Sequence, residues 1–586
     1  MEIEMTPRSV GPYEIHLRKA GGVTVDKDSA ERAIVRGLPR KGLVRVFIEL
    51  VRLFAPFGMS CSGSFSGMVA FQSVSLLCCL GVVGSLGCGP GDGEPIPLAQ
   101  GACEVPLFIG EPASRNPLPP QFIPRHPRLA PPGTNGMHAD SYCTDAYPWS
   151  GPLGVNPQVR SASLSKIGGL VATVGLDREG RLVCVSGSPF EFKLLLLDPA
   201  TLQVLASHTL PPRASTEEFL RTGDWRAIVT DTSGGAYFHL DNRGRAIIAN
   251  ADKVIQIFRV VNTSDTFEWL VDREYDLKGA LPENAHMIDA IPDWRGRIWF
   301  ITRTGIVGVV DPKNGEVMTL VLADEEIQNT LAVARDGVYI VSDHALYRFQ
   351  TDWKGSPEYT WRMTYDRGTS IKPGALSQGS GTTPTLLGDD LVAITDNADV
   401  QVNVLVYRRR PGVTGNRLVC RVPVFDPGYS VSENSLIGYG RSFIVENNYA
   451  YGTGLPLDPN PRSHPGVTRI DVVEGPQGLE CRKVWESREA SQTTVAKLSI
   501  DNGLVYLYTR LEEAPEDVLA WYLTALDFES GRTVFKIFTG TGILWNNYYA
   551  PVTLGPDGTA YVGVYNGIIA VRDGKEGEPP RDLSCR

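Results

Sequence analysis

Several things that would announce a function are scarce in this chain. Its 586 residues hold 8 histidines and 10 cysteines, with no Cys-x-x-Cys pair and no Cys/His spacing of a zinc site. No GxSxG, HExxH, P-loop or GxGxxG stretch occurs, so serine-hydrolase, zincin and nucleotide-fold readings have no motif to stand on. Positive charge is short as well. The net charge is -10 and the pI near 5.5. A general nucleic-acid binder needs a basic face to release counterions, so nucleic acid is not an expected partner. Sustained 3.6-residue periodicity is almost absent, which argues against a helical protein. From Leu53 to Gly91 there is no charged residue at all.

That uncharged run has an apolar centre, MVAFQSVSLLCCLGVVGSLGC, from Met68 to Cys88, with Arg45 and Arg52 on its N-terminal side. Such a run is a membrane helix or the core of a secretion signal. Its end, Ser85-Leu86-Gly87-Cys88 followed by GPGDGEP, resembles a bacterial lipoprotein signal. The resemblance implies lipidation at Cys88, export, and residence in the cell envelope as an outer-membrane or periplasmic lipoprotein. A retained membrane anchor and another processed signal stay open. Residues 1–58 then read as an upstream extension from a misassigned start, 59–88 as the signal or anchor, and 89–160, rich in Pro and Gly, as a linker or wrapping segment. Of the cysteines beyond the signal, Cys103 and Cys143 bracket the Pro-rich stretch and are expected to staple it in an oxidising compartment; unpaired thiols are the alternative.

The remainder, 161–586, is built from short β-branched and aromatic runs between turn residues, the pattern of an all-β domain. Hydrophobic residues make up 42% of the chain, enough for a large core, and 61 glycines and 42 prolines suit many tight turns. The turns recur: LDREGRLVCV, LDNRGRAII, PDWRGRIWF, ARDGVYIV, LGDDLVAIT, GYGRSFIV, IDNGLVYLY and GPDGTAYVG. In each, Asp, Asn or Gly sets a hairpin turn that feeds a strand. Their centres are Gly180, Gly244, Gly296, Gly337, Asp389, Gly440, Gly503 and Gly558, spaced by about 54 residues on average. A second strand–turn–strand follows several of them, as in LLLLDPATLQVL and ALDFESGRTVFKIFTG. Four strands per repeat is a propeller blade. The spacing predicts a β-propeller of eight four-stranded blades, with seven as the alternative. ALDFESGRTVFKIFTG and YVGVYNGIIAVRDG resemble the repeats of quinoprotein-type (PQQ-like) β-propellers, with Phe535 near the place of that family's docking Trp.

In a blade the inner strand A turns into strand B on one face, here the bottom. The start of A and the end of B then meet on the opposite, top face. The A starts bring Glu283, Asn284, His286, Thr382, Thr383, Glu433, Asn434, Asn546, Asn547 and Tyr549 to a ring around the upper channel. The B ends bring Asp396, Asn397, Glu446 and Asn447 to a second ring. Such residues are also ordinary loop formers. The segment NGMHADSYCTDAY, from Asn135 to Tyr147, is too polar for core and too aromatic for a free linker, and is expected to fold across the propeller and cover the top.

Two functions fit. One is an envelope-anchored binding or scaffold lipoprotein that takes a small molecule or protein on its top face, since fold alone does not specify function. The other is an enzyme. The oxygen-rich ring resembles that of propeller lactonases, which implies a calcium-assisted hydrolase with Glu283 and Glu433 as metal ligands. His286 is the candidate base. A PQQ cofactor is disfavoured, because vicinal cysteines occur only as Cys78-Cys79 in the signal segment.

Overall fold

The short apolar runs pair into eight four-stranded antiparallel sheets in a computed structural model of the chain. The structure describes residues 93–579 except 165–168, 189–190, 225, 265, 452–461 and 492–493, together with an N-terminal hairpin, Glu2–Thr6 paired with Glu14–Arg18. That hairpin belongs to a unit of its own (1–89 with 217–224). Cys78, Cys79 and Cys88, and the expectations attached to them, lie outside the described residues.

The sheets are the blades of a β-propeller: blade 1 (170–210), blade 2 (238–276), blade 3 (287–321), blade 4 (332–364), blade 5 (385–423), blade 6 (437–487), blade 7 (497–541) and blade 8 (552–572 with 158–163). All eight expected turn centres lie in the A–B turns. Their chemistry is explicit in blade 2, where Asp241 Oδ1 accepts from the Arg243 and Arg245 N–H groups at 2.8 and 2.9 Å and Gly244 takes φ 77°. Blades 1 and 3 repeat the pattern at Asp177 and Asp293.

Each strand alternates its side chains between the two faces of its blade, and both faces are covered by neighbouring blades. The result is one apolar core per junction. Val185 and Phe258 share the core between blades 1 and 2, Ala249 and Phe300 that between 2 and 3, and Trp299 and Ile340 that between 3 and 4. The remaining junctions follow to Tyr561 and Val174, between blades 8 and 1. The last junction is covalently remote. Gln158–Ser163 supplies the outer strand of blade 8, pairing antiparallel with Gly567–Arg572, so the two ends of the domain close the ring together.

The lead-in wraps the propeller. Phe108–Gly110 adds an outer strand to blade 7, where Phe108 stacks on Phe535 at 5.9 Å. Residues 115–130 then cross the turn-bearing bottom face. Arg115 pairs with Asp501, the Tyr439 hydroxyl donates to Pro119 O at 2.6 Å, and Leu129 bridges Asp241. Two cysteine expectations need correction. Cys143 is a buried free thiol, so it does not staple to Cys103, which is itself disulfide-bonded. The pair between Cys420 and Cys481 joins the outer strands of blades 5 and 6.

Candidate functional site

From the bottom face the chain enters the central channel. Residues 134–147 run around its wall and satisfy the inner edge of one blade after another. Thr134 O accepts from Leu176 N at 3.0 Å and Asn135 Oδ1 from Leu240 N at 2.9 Å. Ser141, Tyr142, Thr144 and Asp145 carbonyls accept from Val333, Leu386, Gly438 and Leu498 at 2.7 to 2.9 Å. Ala146–Tyr147 pairs in parallel with Lys497–Ser499. Inner A strands have an unpaired edge, and this segment pairs it, which is why so polar a stretch is buried. It is therefore a plug in the turn-side half of the channel, not the cover over the top that its composition suggests.

The plug is pinned by charge. Lys497, fully buried, donates to Asp145 and to Met137 O. Asp145 also contacts His138 Nδ1 at 3.2 Å and accepts from the Ser435 hydroxyl. Burial works against the Asp145 carboxylate, but Lys497 and His138 outweigh it and hold the group below the usual range. His138 Nε2 lies 3.2 Å from Thr383 Oγ1. The order hydroxyl, imidazole, carboxylate is that of a catalytic relay, yet all three residues are buried and Lys497 ties the carboxylate to the plug backbone. The network anchors the plug.

Above it, the expected ring divides. Glu283 and Asn284 are exposed and His286 half-buried on the loop into blade 3; Lys253 Nζ reaches Glu283 O at 2.8 Å, and His286 O accepts from Arg303 N. This loop runs into the A strand of blade 3 at Met287, and Glu283 and Asn284 stay exposed where Glu433 and Asn434 are buried. Glu283 and Glu433 thus differ in setting, and among the described residues no three His, Cys, Asp or Glu side chains converge as a metal group would require. Several of the others are structural. Thr382 Oγ1 accepts from Thr395 N at 3.1 Å, Asp396 closes its turn onto Asn403 N at 2.7 Å, and Asn397 Nδ2 donates to Arg367 O at 3.1 Å. Glu446 clips blade 6 to blade 7, accepting from Ala496 N at 3.0 Å and from the Ser491 hydroxyl. Asn447 Oδ1 accepts from Val431 N at 3.2 Å. Asn448 Oδ1 accepts from Glu433 N at 2.8 Å, so the start of A and end of B in blade 6 are neighbours, as the hairpin phasing requires.

Glu433, Asn434 and Asn547 are different. Glu433 is buried, and among the described residues neither carboxylate oxygen has a hydrogen-bond partner. The Leu376 N–H lies close enough to favour its charged form. Burial pushes the carboxyl up to about 8, against weaker opposing effects of that N–H and of Arg303. Its charge is felt by Tyr237 of blade 2, Arg303 of blade 3 and Tyr548 and Tyr549 ahead of blade 8, so it faces across the channel. Asn434 Nδ2 donates to Thr494 O at 2.9 Å, and Asn547 Nδ2 to Thr494 Oγ1 at 2.7 Å and Ala550 O at 2.9 Å. Both Oδ1 atoms are buried and unpartnered, as is Asn329 Nδ2 of blade 4.

Loops cover this group. Tyr549 OH donates to Gly374 O at 2.8 Å, joining the approach to blade 8 to loop 366–381 between blades 4 and 5. Tyr451 donates to Asn546 Oδ1. Tyr451, Tyr548, Tyr549 and Tyr565 form one aromatic cluster with centroid separations of 4.9 to 6.1 Å. Of these, Tyr549 follows from strand phasing ahead of the A strand of blade 8, and Tyr565 from the same phasing at the end of its B strand. Tyr548 is legible in the doubled tyrosine of WNNYYAP; nothing local marks Tyr451, Tyr237 or loop 366–381.

No family model matches the sequence. A protein of Archaeoglobus fulgidus, described as uncharacterized, is 30% identical over 329 residues, covering 50% of this chain and 63% of its own length. The match thus spans less than two thirds of that relative. Among solved structures, BamB from Moraxella catarrhalis aligns over 56% of this chain and 93% of its own at 13% identity and TM-score 0.29. A europium-containing methanol dehydrogenase aligns over 74% and 89% at 12% identity and TM-score 0.42. The WD40 domain of SCAP from fission yeast aligns over 72% and 95% at 10% identity and TM-score 0.36.

Proposed function

We propose that this protein is an envelope-anchored binding propeller whose upper channel receives a small ligand. One observation carries the binding reading: the Glu433 carboxyl is buried, and among the described residues neither of its oxygens has a hydrogen-bond partner. Removing a charge from water without a partner is costly, and the neighbouring strand starts avoid it, since Thr330 and Thr382 are each hydrogen-bonded. A carboxylate kept in that state, with its pKa raised by burial, marks a site that is complete only with something bound. Binding is favoured over catalysis because no nucleophile, base and oxyanion donors converge on it. The anchoring half of the proposal rests on the uncharged run Leu53 to Gly91 and on Cys88.

A thermal-shift screen of the full-length protein tests the site, using small cations, carboxylates, sugars and divalent metals. A ligand at about 100 times its Kd stabilises by about 2.7 kcal/mol, a rise of a few degrees. At least one class is expected to raise Tm in the wild type and not in Glu433→Gln. A screen without any such class overturns the reading. For the anchor, wild-type protein is expected in the detergent phase on Triton X-114 separation and Cys88→Ser in the aqueous phase; equal partitioning overturns it.

A further inference from the structure

The geometry points to a small protonated amine, an organic ammonium ion carrying N–H donors, as the ligand of the upper channel. This inference rests on the binding reading above and names its chemical class.

Four acceptors stand together that have no hydrogen-bond partner among the described residues: Glu433 Oε1 and Oε2, Asn434 Oδ1 and Asn547 Oδ1. The two amides cannot turn to offer N–H instead, because each nitrogen is spent on a backbone carbonyl, Thr494 O for Asn434 and Ala550 O for Asn547. They are neighbours, since both also meet Thr494, and Asn434 follows Glu433 in the chain. An anion would meet the two amide oxygens and not their N–H groups, and a neutral ligand would not draw the buried carboxyl into its charged form. Arg303 does not supply one: its guanidinium is committed to Glu326 at 3.2 Å and Thr230 O at 3.1 Å. A quaternary ammonium offers no hydrogen to the amide oxygens. Calcium takes six to eight oxygens, more than this group presents.

Beside the acceptors lies the tyrosine cluster, since Tyr451 OH and Tyr548 N both donate to Asn546 Oδ1 and Asn546 precedes Asn547. It is tied to Glu433 through one short path: Asn448 Oδ1 accepts from Glu433 N, Asn448 abuts Gly374, and Gly374 O accepts from Tyr549 OH. Burial raises the hydroxyls of Tyr548, Tyr549 and Tyr565 above the usual tyrosine range, so the rings stay neutral and present π faces. Neutral aromatic faces attract a desolvated cation and shelter its alkyl part. Tyr548 and Tyr549 hold left-handed backbone at φ 33° and 61°, a conformation uncommon for aromatic residues, and strain of this kind collects where a ligand is gripped.

Proton coupling follows. Without a cation, burial keeps Glu433 protonated up to about pH 8; an ammonium favours the carboxylate. Uptake below that pH therefore releases a proton, and affinity rises with pH towards about 8. The groups facing Glu433 are Arg303, Tyr237, Tyr548 and Tyr549, and burial holds the three tyrosine hydroxyls above their usual range, so they stay neutral across that window.

Isothermal calorimetry on the full-length protein at pH 6 and pH 8, in two buffers of different ionisation enthalpy, reads both affinity and proton release. The probes are n-propylamine, tetramethylammonium, n-propanol, propionate and calcium chloride. n-Propylamine is expected to bind with proton release at pH 6, about tenfold tighter than tetramethylammonium or n-propanol. Glu433→Gln, which removes an uncompensated buried charge and so folds, is expected to weaken it by about tenfold or more, and Tyr548→Leu to weaken it less. Should propionate, n-propanol or calcium be the tight probe, and lose affinity in Glu433→Gln, the ammonium inference falls while the upper channel stands as a binding site. Heat from no probe, or binding indifferent to Glu433→Gln, overturns the inference and the site together.

Discussion

Glu433 carries the proposed binding site, and its cost to the fold is measurable. The carboxyl titrates at about 4.5 in an unfolded chain and at about 8 here. Between those values the folded protein binds more protons than the unfolded one. Stability is therefore fully present below pH 4.5 and is lost as pH rises towards 8. Glutamine at this position has no charge to bury. Glu433→Gln is expected to match the wild type at pH 5 and to exceed it in urea midpoint at pH 8, with the gap opening across that window. An equal gap at both pH values would show that the carboxylate is solvated. A buried group that costs stability is what a binding site asks of its scaffold, in contrast to Glu446 of the same hairpin, whose oxygens are both engaged between blades.

Among the elements, the plug shows how a polar segment becomes core. Its backbone carbonyls occupy the free edges of the inner strands, and its one buried ion pair, Asp145 with Lys497, holds the register. Breaking one side of a buried pair leaves the other charge stranded, at about 3–5 kcal/mol. Lys497→Met should therefore lower the free energy of unfolding by about that amount. The double variant with Asp145→Asn should recover part of the loss, a coupling that denaturation of the four proteins in the cycle measures. Additive losses would mean that Asp145 is held by His138 and Ser435 alone. Because the plug fills the turn-side half of the channel, it also forms the floor beneath Glu433, through the contact of His138 with Thr383 and Ser435.

At the scale of the molecule, the ring is closed by a strand from the other end of the domain. Each blade shares its core with two neighbours, so an open junction exposes two apolar faces. Gln158–Ser163 prevents that by pairing with Gly567–Arg572 from Gly567↔Ser163 to Arg572↔Gln158. Ala162→Pro places a residue without an N–H in this ladder, opposite Ile568. It is expected to lower Tm and to raise hydrogen exchange first in blades 8 and 1, while blades 3 to 5 stay protected; uniform exchange would show that closure is not local. The Cys420–Cys481 bond reinforces the opposite side, between blades 5 and 6.

Much of the architecture is written locally. Asp, Asn or Gly makes a turn wherever it stands between strand-forming runs, so eight such turns at blade spacing announce eight blades, and the structure has one at each A–B junction. From that phasing alone, Glu433 falls at the top of blade 6, next to the end of strand B at Glu446, and the structure sets Asn448 of that end against it. The same reasoning puts Glu283 and Asn284 ahead of blade 3 but does not foresee that they stay exposed, because a loop residue before a strand has no obligation to be covered. The plug is also read wrongly from composition. Burial of His138, Asp145 and Lys497 depends on partners hundreds of residues apart in the chain. The tyrosine cluster gathers from loops of blades 6 and 8 for the same reason. Turn chemistry and alternation are short-range and survive in any reading of the chain. Which polar groups find partners, and which, like Glu433, are left without one, is decided only when distant loops pack, since burial and desolvation are properties of the assembled ring.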